Sequence, residues 1–289
     1  MLRPGVIASA NAPVGIICGG GSLPYAVADS IIKQGRRVVL FAIRGSADPA
    51  EVARYPHHWL ALAQFGRLCR AARKENCRDL VFIGTVVRPA LSSLRLDWAA
   101  LKQLPRIFAM YRGGDNHLLT GIGRVFEEHG FTLHGAHEFA PEILMPDGQL
   151  GLTSPSEQDR ADIARGLALL KATGPFDVGQ AVVVARNHVV AIEGAEGTDQ
   201  MLARVAEMRR SGRLGTPRGA GVLVKAPKPG QDRRFDLPSV GPKTVEGVAQ
   251  AGLAGMAVIA GATVVAEPDA LARTADRERV FVLGLREDA

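Results

Sequence analysis

Aromatic side chains make up only 5% of the 289 residues, so the core has to be built from Ala, Val, Leu and Ile. Cysteine is almost as scarce. Cys18, Cys69 and Cys77 are three, an odd number, with no C-x-x-C pair among them. That excludes a disulfide framework and a zinc cluster and predicts reduced thiols in the cytoplasm, with Cys18 in the core at the end of an apolar strand. No apolar run reaches the roughly 18 residues of a membrane span. The opening "MLRPGVIASANAPVG" has no apolar stretch long enough for a signal peptide. Any meeting with lipid is therefore expected from the side. No Lys/Arg block exceeds two residues, so the net charge of +6 does not point to nucleic acid. It reads either as a solvated basic surface or as attraction to anionic substrates or an anionic membrane surface.

What is present is 47% hydrophobic residues and 33 glycines, which suits an α/β fold with many tight turns. The length predicts two domains. "VGIICGGGSLPYAVADSIIKQGRRVVLFAI" reads as strand Val14–Cys18, glycine turn, helix Pro24–Lys33 and strand Arg37–Ile43, a βαβ unit of doubly wound type. "CRDLVFIGTVV" supplies another strand, and helices are expected around Asp97–Met110 and Asn116–His129. The expectation is a Rossmann-like N-terminal domain over residues 1–140, a Pro/Gly-rich linker over 141–155, and a second α/β domain over 156–289. In that domain, Ser156 and Asp159 are expected to cap a helix reaching Lys171. Strands Ala181–Ala185 and Val189–Ile192 flank a hairpin turn. Then come a strand at Gly221–Val224, a helix from Thr244, a strand near Val258, a helix, and a strand at Val280–Leu283.

Several stretches carry chemistry. In "CGGGSLP" a strand runs through glycines into a helix, which is either a tight turn alone or a place where backbone N–H groups meet a nucleotide. The full G-x-G-x-x-G fingerprint is absent, and no acidic residue ends the second strand, so NAD ribose recognition is poorly supported. Arg88 after a strand end is either a bidentate phosphate clamp or a surface ion-pair partner. Asp115 and Asn116 can cap the helix that follows. Asn116-His117 matches one element of metallophosphoesterases, but their D-x-H and G-D-x-x-D partners are missing, as is a Nudix box. "AIEGAEGTD" sets Glu193, Glu196 and Asp199 within seven residues. Such carboxylates repel one another unless a cation, donors or water intervene.

"KAPKPGQDRRFDLPSVGPKT" (Lys225–Thr244) holds five basic residues, two aspartates and four prolines. Lys225, Lys228, Arg233 and Arg234 can gather a diphosphate. Asp232 and Asp236, four apart, can hold a divalent metal or orient water. The prolines reduce the entropy lost when the loop closes on a ligand. The alternative is a charged connector with internal ion pairs.

"GGGSLP", "GTVVRP", "GDNHLL", "AIEGAEGTDQML" and above all "KAPKPGQDRRFDLPSVGPKTVE" resemble the LpxI family, the UDP-2,3-diacylglucosamine pyrophosphatases of lipid A biosynthesis. The resemblance runs from about Val14 to Leu283. It departs at "GMAVIAGATVV", where an acidic residue is expected near Ile259, so that strand end is given no role. The resemblance implies hydrolysis of the substrate's diphosphate by metal-assisted water attack at the sugar-side phosphorus, giving UMP and 2,3-diacylglucosamine 1-phosphate (lipid X). It implies Mg²⁺ or another divalent cation held by the catalytic aspartates Asp232 and Asp236, with Asp236 the first choice. Substrate contacts carried over are Gly19, Gly20, Gly21 and Ser22, with Arg88, Asp115 and Asn116. The second half adds Gln180 and, in the acidic loop, Glu193, Gly194, Glu196, Gly197, Thr198 and Asp199. The charged loop adds Lys225, Lys228, Gln231 and Arg234, and the next helix Thr244. A homodimer, peripheral to the cytoplasmic face of the inner membrane, is also implied. The rival readings are an oxidoreductase or transferase, which would need a second substrate, and a nucleotide-sugar sensor, which would leave its ligand intact.

Overall fold

Strand β1 (Val14–Cys18) is buried at every position, as a parallel strand covered on both faces must be. In the computed structural model, which describes residues 12–86, 115–176 and 178–287, β1 leads into α1 (Leu23–Lys33). The chain returns as β2 (Val38–Ile43), parallel to β1 with Val14 opposite Val38. Next come α2 (Pro49–Val52), β3 (His57–Leu60), α3 (Phe65–Lys74), β4 (Asp79–Ile83), α4 (Asp115–Glu128), β5 (Thr132–His134) and α5 (Ala136–Phe139). The strands form one parallel sheet in the order β3-β2-β1-β4-β5. The chain winds outward from β1 to β3 and then restarts on the other side at β4. The carboxyl ends of β1 and β4 are therefore a topological switch point, where open α/β sheets hold ligands.

This first unit comprises the chain up to Glu142 together with Asp232–Asp236; the second comprises Ile143–Gln231 and Leu237 onward. The second unit contains β6 (Gly148–Leu150), α6 (Glu157–Thr173), β7 (Ala181–Ala185), β8 (His188–Ile192), α7 (Gly197–Arg210) and β9 (Val222–Lys225). It continues through β10 (Ser239–Val240), α8 (Pro242–Gln250), β11 (Gly255–Ile259), β12 (Val264–Val265), α9 (Pro268–Glu278) and β13 (Phe281–Leu285). Its sheet runs β6-β13-β11-β9-β7-β8. The three central strands are parallel, and the outer ones pair antiparallel. β10 and β12 form a small parallel pair of their own. Both units are α/β. The second unit's core is Val, Leu, Ile, Ala and Met with Phe281, but the first, contrary to expectation, also gathers Phe41, Phe126 and Phe131, with Phe65, Phe82 and Phe235 packed against them.

Local expectations hold where the signal was strong. Ser156 Oγ accepts from the Asp159 amide at 3.2 Å and the Asp159 carboxylate answers the Ser156 amide at 2.9 Å, a capping box. The hairpin β7–β8 turns on Arg186 and Asn187, both at positive φ (49° and 65°). The fully buried Asp162 of α6 accepts from both of their amides, at 2.9 and 2.6 Å, and so holds the turn onto the helix. Helix α8 starts at Pro242 rather than Thr244, since proline is tolerated in a first turn. Residues 148–150, inside the stretch read as a linker, form β6 and pair antiparallel with β13, with Leu150 packed against the core. The helix expected at 97–110 lies outside the described residues.

Inside the first unit, Asp79 opens β4 fully buried, and two cations meet it: Arg36 Nη2 donates at 2.8 Å and His134 Nε2 lies at 3.2 Å. The other His134 nitrogen, Nδ1, faces Glu138 at 3.2 Å. Burial lowers the His134 pKa, but the hydrogen bonds to Asp79 and Glu138 outweigh it and raise the value to about 9. A raised histidine pKa means stability that is fully present below the unfolded value near 6.5 and lost as pH rises through about 9. Thermal melts from pH 6 to 10 should therefore show falling Tm, with His134 contributing on the order of 2–3 kcal/mol. His134→Gln should start lower and flatten the decline; a wild-type-like profile would remove His134 from the effect.

Candidate active site

The segment Asp232–Asp236 belongs with the first unit because Phe235 is seated there. Its ring lies edge-on to Phe82 of β4, with centroids 5.6 Å apart, and covers Gly123 of α4. A Cβ on Gly123 would stand 2.7 Å from Phe235 Cζ, so only glycine leaves room for the ring. Around that anchor the segment makes a tight turn, the amides of Phe235 and Asp236 donating to the Asp232 carbonyl at 3.1 and 3.3 Å.

Arg234 holds the turn electrostatically. Its Nε and Nη2 fork onto the Asp232 carboxylate at 3.0 and 2.8 Å, and Nη1 reaches Glu127 of α4 at 2.7 Å. Burial raises the Asp232 pKa, but the Arg234 guanidinium and amide pull it back below the ordinary carboxylate range. Arg234 itself is raised by the same pairing. Asp232 is thus ionised and engaged on both oxygens. Asp236 sits at the far end of the turn. Burial lowers the His137 pKa; Glu138 opposes this and the positive charge of Arg233 adds to it.

At the switch point the glycine turn interlocks with the turn after β4. The amides of Gly19 and Gly20 donate to Ile83 O at 2.9 Å and Thr85 O at 2.7 Å, and Thr85 N returns a bond to Gly20 O. A Cβ on Gly19 would fall 2.6 Å from Thr85 O, so the first glycines serve this crossing of two backbones. Gly21 lies at φ +92° with open space beside it, and Ser22 stands ahead of α1. Arg88 lies outside the described residues. Asp115 and Asn116 open α4, with their side chains outside the description.

In the second unit the acidic loop divides among separate partners. Glu193 is buried and accepts from the Gln180 amide at 2.8 Å and Thr198 Oγ1 at 2.6 Å. Lys225 Nζ, also buried, donates to Thr198 Oγ1 at 3.0 Å and Ser239 O at 3.2 Å. Glu196 pairs with Arg204 at 2.7 Å, and Asp199 with Lys243 at 2.7 Å. Donors therefore separate the three carboxylates. Gly194 O and Gly197 N close the loop at 3.2 Å. The Gln180 side-chain oxygen is buried without a partner among the described residues. The Lys228 amide donates to Gln231 Oε1 at 2.9 Å, and Thr244 Oγ1 accepts from the Gly241 amide to cap α8. Ile259, where an acid was expected, is a buried end of β11.

Sequence reasoning passed over Phe235, Gly123, Glu127 and His137. A lone aromatic among charges, or a glycine inside a helix, carries no periodic signal, and their proximity exists only in the fold.

Phe235→Ala should loosen the segment, costing about 1–3 kcal/mol for a partly buried ring. Trypsin cleavage after Arg233 and Arg234, mapped by mass spectrometry, should accelerate, and less so in Phe235→Leu; unchanged cleavage would dismiss the anchor. Lys225→Met should cost about 1–3 kcal/mol by leaving Thr198 and Ser239 O without their donor, read as a lower Tm.

Comparison with known proteins bears on both units. Residues 13–143 match the model of the LpxI N-terminal domain, and residues 146–283 that of the LpxI C-terminal domain. The UDP-2,3-diacylglucosamine pyrophosphatase LpxI of Caulobacter vibrioides is 40% identical over 272 residues, covering 94% of this chain and 97% of the relative. With both domain models and nearly the whole length matched, this chain belongs to the LpxI family.

Proposed function

We propose that the protein is a hydrolase of lipid A synthesis that splits the diphosphate of UDP-2,3-diacylglucosamine into UMP and 2,3-diacylglucosamine 1-phosphate. The observation that carries this reading is the Asp232–Asp236 turn, held in place by Phe235 and Arg234 on an α/β unit of the LpxI family. In it, Asp236 accepts the proton of the attacking water at the sugar-side phosphorus. Arg233 and the Gly21–Ser22 backbone attract the diphosphate, and Arg234 acts chiefly by fixing Asp232.

A divalent cation, most simply Mg²⁺, fits this donor set in one manner. Among the described residues no three His, Cys, Asp or Glu side chains gather to form a cage. Mg²⁺ is commonly held instead by one or two carboxylates together with substrate phosphates and water. Asp236 suits that role, and Asp232 can join only by sharing its oxygens with Arg234. When bound, such an ion neutralises charge growing on the phosphoryl oxygens. We further propose a homodimer working at the cytoplasmic surface of the inner membrane. No described helix is long and apolar enough to cross a bilayer, and the net charge of +6 favours an anionic surface.

The test is to incubate the purified chain with UDP-2,3-diacylglucosamine and Mg²⁺ and resolve the products. UMP and the sugar 1-phosphate are expected; intact ligand after hours would indicate a sensor and overturn the reading. Asp236→Ala should fold and retain substrate while kcat falls at least about 10²–10⁴-fold, the usual loss for a general base. Addition of a chelator should likewise stop the wild type. Wild-type kcat in Asp236→Ala would leave that residue a turn former.

A further inference from the structure

The amino ends of the second unit's central strands carry an arginine-lined edge that the hydrolase reading does not use. The stretch between Met208 and Val222 holds four arginines and no acid. Arg209 organises it. Its Nε donates to Ala251 O at 2.8 Å, Nη1 to Thr216 O and Pro217 O at 2.6 Å each, and Nη2 to Ala220 O at 3.1 Å. One guanidinium thus ties the loop before β9 to the end of α8, and Gly219 N adds a bond to Gly252 O at 2.8 Å. The loop is held in shape while Arg213 and Arg218 stand exposed on it.

Strand register sets further cations along the same edge. Val184 pairs with Val222, so the β7–β8 turn, with exposed Arg186, lies beside the start of β9. A Cβ on Gly221 would stand 2.7 Å from Ala185 Cβ and 3.2 Å from Leu253, which joins that turn to the chain entering β11. β13 runs parallel to β11, so exposed Arg279, just before β13, reaches this edge too. Leu150 pairs antiparallel with Val282 and brings out Leu152, 85% exposed, whose amide donates to Asp276 of α9 at 2.6 Å. The neighbouring acids are engaged: Asp162 holds the hairpin turn, Glu207 pairs with Arg210 and Glu278 with Arg277. Glu157 and Arg160, exposed at the start of α6, offset each other. Arg186, Arg213, Arg218 and Arg279 leave the edge positive.

Guanidinium groups take phosphate oxygens in pairs, and their stems can lie along apolar material while the heads stay in the charged layer. An exposed leucine among them suits the boundary between headgroups and acyl chains, which nucleic acid does not offer. We propose that this edge of the second unit is the surface by which the chain docks on an anionic phospholipid bilayer. The proposal rests on the reading that the substrate is a diacylated lipid. Docking here leaves the opposite edge, where Lys225 ends β9, uncovered.

The probe is a vesicle of phosphatidylglycerol mixed equally with phosphatidylcholine, against phosphatidylcholine alone, cosedimented with the full chain without substrate. The wild type should bind the anionic vesicles, release them as salt rises, and ignore the neutral ones. Arg186→Gln combined with Arg213→Gln leaves every hydrogen bond described above in place and should weaken binding about 10- to 30-fold at unchanged Tm. Leu152→Ser should weaken it several-fold. Lys33→Gln combined with Lys74→Gln removes the same charge from the first unit and should change little. No vesicle binding by the wild type, equal losses in the two double variants, or tighter binding to duplex DNA than to the vesicles would each overturn the surface. Vesicle binding by a chain that releases no UMP would sustain the surface and overturn the hydrolase reading alone. UMP release without vesicle binding would do the reverse.

Discussion

One packing contact governs where the chain's charged turn stands: the Phe235 ring on Phe82 and Gly123. The stretch around it is rich in proline and charge, which on its own would be a solvated loop. A single partly buried ring removes much of that freedom, because the residues on either side move only as far as the anchor allows. Arg234 then sets the orientation through two carboxylates, one in its own turn and one on α4. A planar guanidinium suits this double duty, since its donors point in fixed directions. Apolar packing fixes the position of the turn, and ion pairing fixes its rotation.

The same economy of charge runs through the second unit. Buried ions are costly unless each is paired and hydrogen-bonded. Lys225 and Glu193 meet that condition through one hydroxyl, Thr198, which donates to the glutamate and accepts from the lysine. The acidic loop is therefore an ordered set of separate pairings rather than a pool of negative charge. A cation would have to displace existing partners there, and the Arg234 fork is likewise committed, to Asp232 and Glu127.

Much of the fold was legible because buried parallel strands are continuous apolar runs: β1, β2, β4, β9, β11 and β13 all read so. The Ser156–Asp159 box and the Arg186–Asn187 turn were legible because caps and turns are local. β3 escaped notice because "HHWL" is a half-exposed edge without alternation, and β6 because "GQL" is three residues with a single apolar side chain. For the site, the sequence showed which residues are charged but not which charges are already satisfied. Arg234 and Lys225 look alike as basic residues in one loop, yet one braces a surface turn and the other is buried under a hydroxyl. Pairings such as Arg234–Glu127 join distant parts of the chain and leave no trace in spacing.

The buried charges of the first unit complete this logic. Asp79, Arg36, His134 and Glu138 form a connected set that apolar residues could replace with equal or better stability in many proteins. Their merit here is directional. Glu138 takes His134 with one oxygen and the Gly135 amide with the other, which fixes the backbone turn immediately before His137. The backbone that carries His137 is thus held by a chain of hydrogen bonds rooted at the buried start of β4. Phe235 meets the same strand near its other end, at Phe82. A single strand thereby braces two turns, the Asp232–Asp236 turn through Phe82 and the Gly135 turn through Asp79 and His134, and it does so with apolar packing at one end and buried charge at the other.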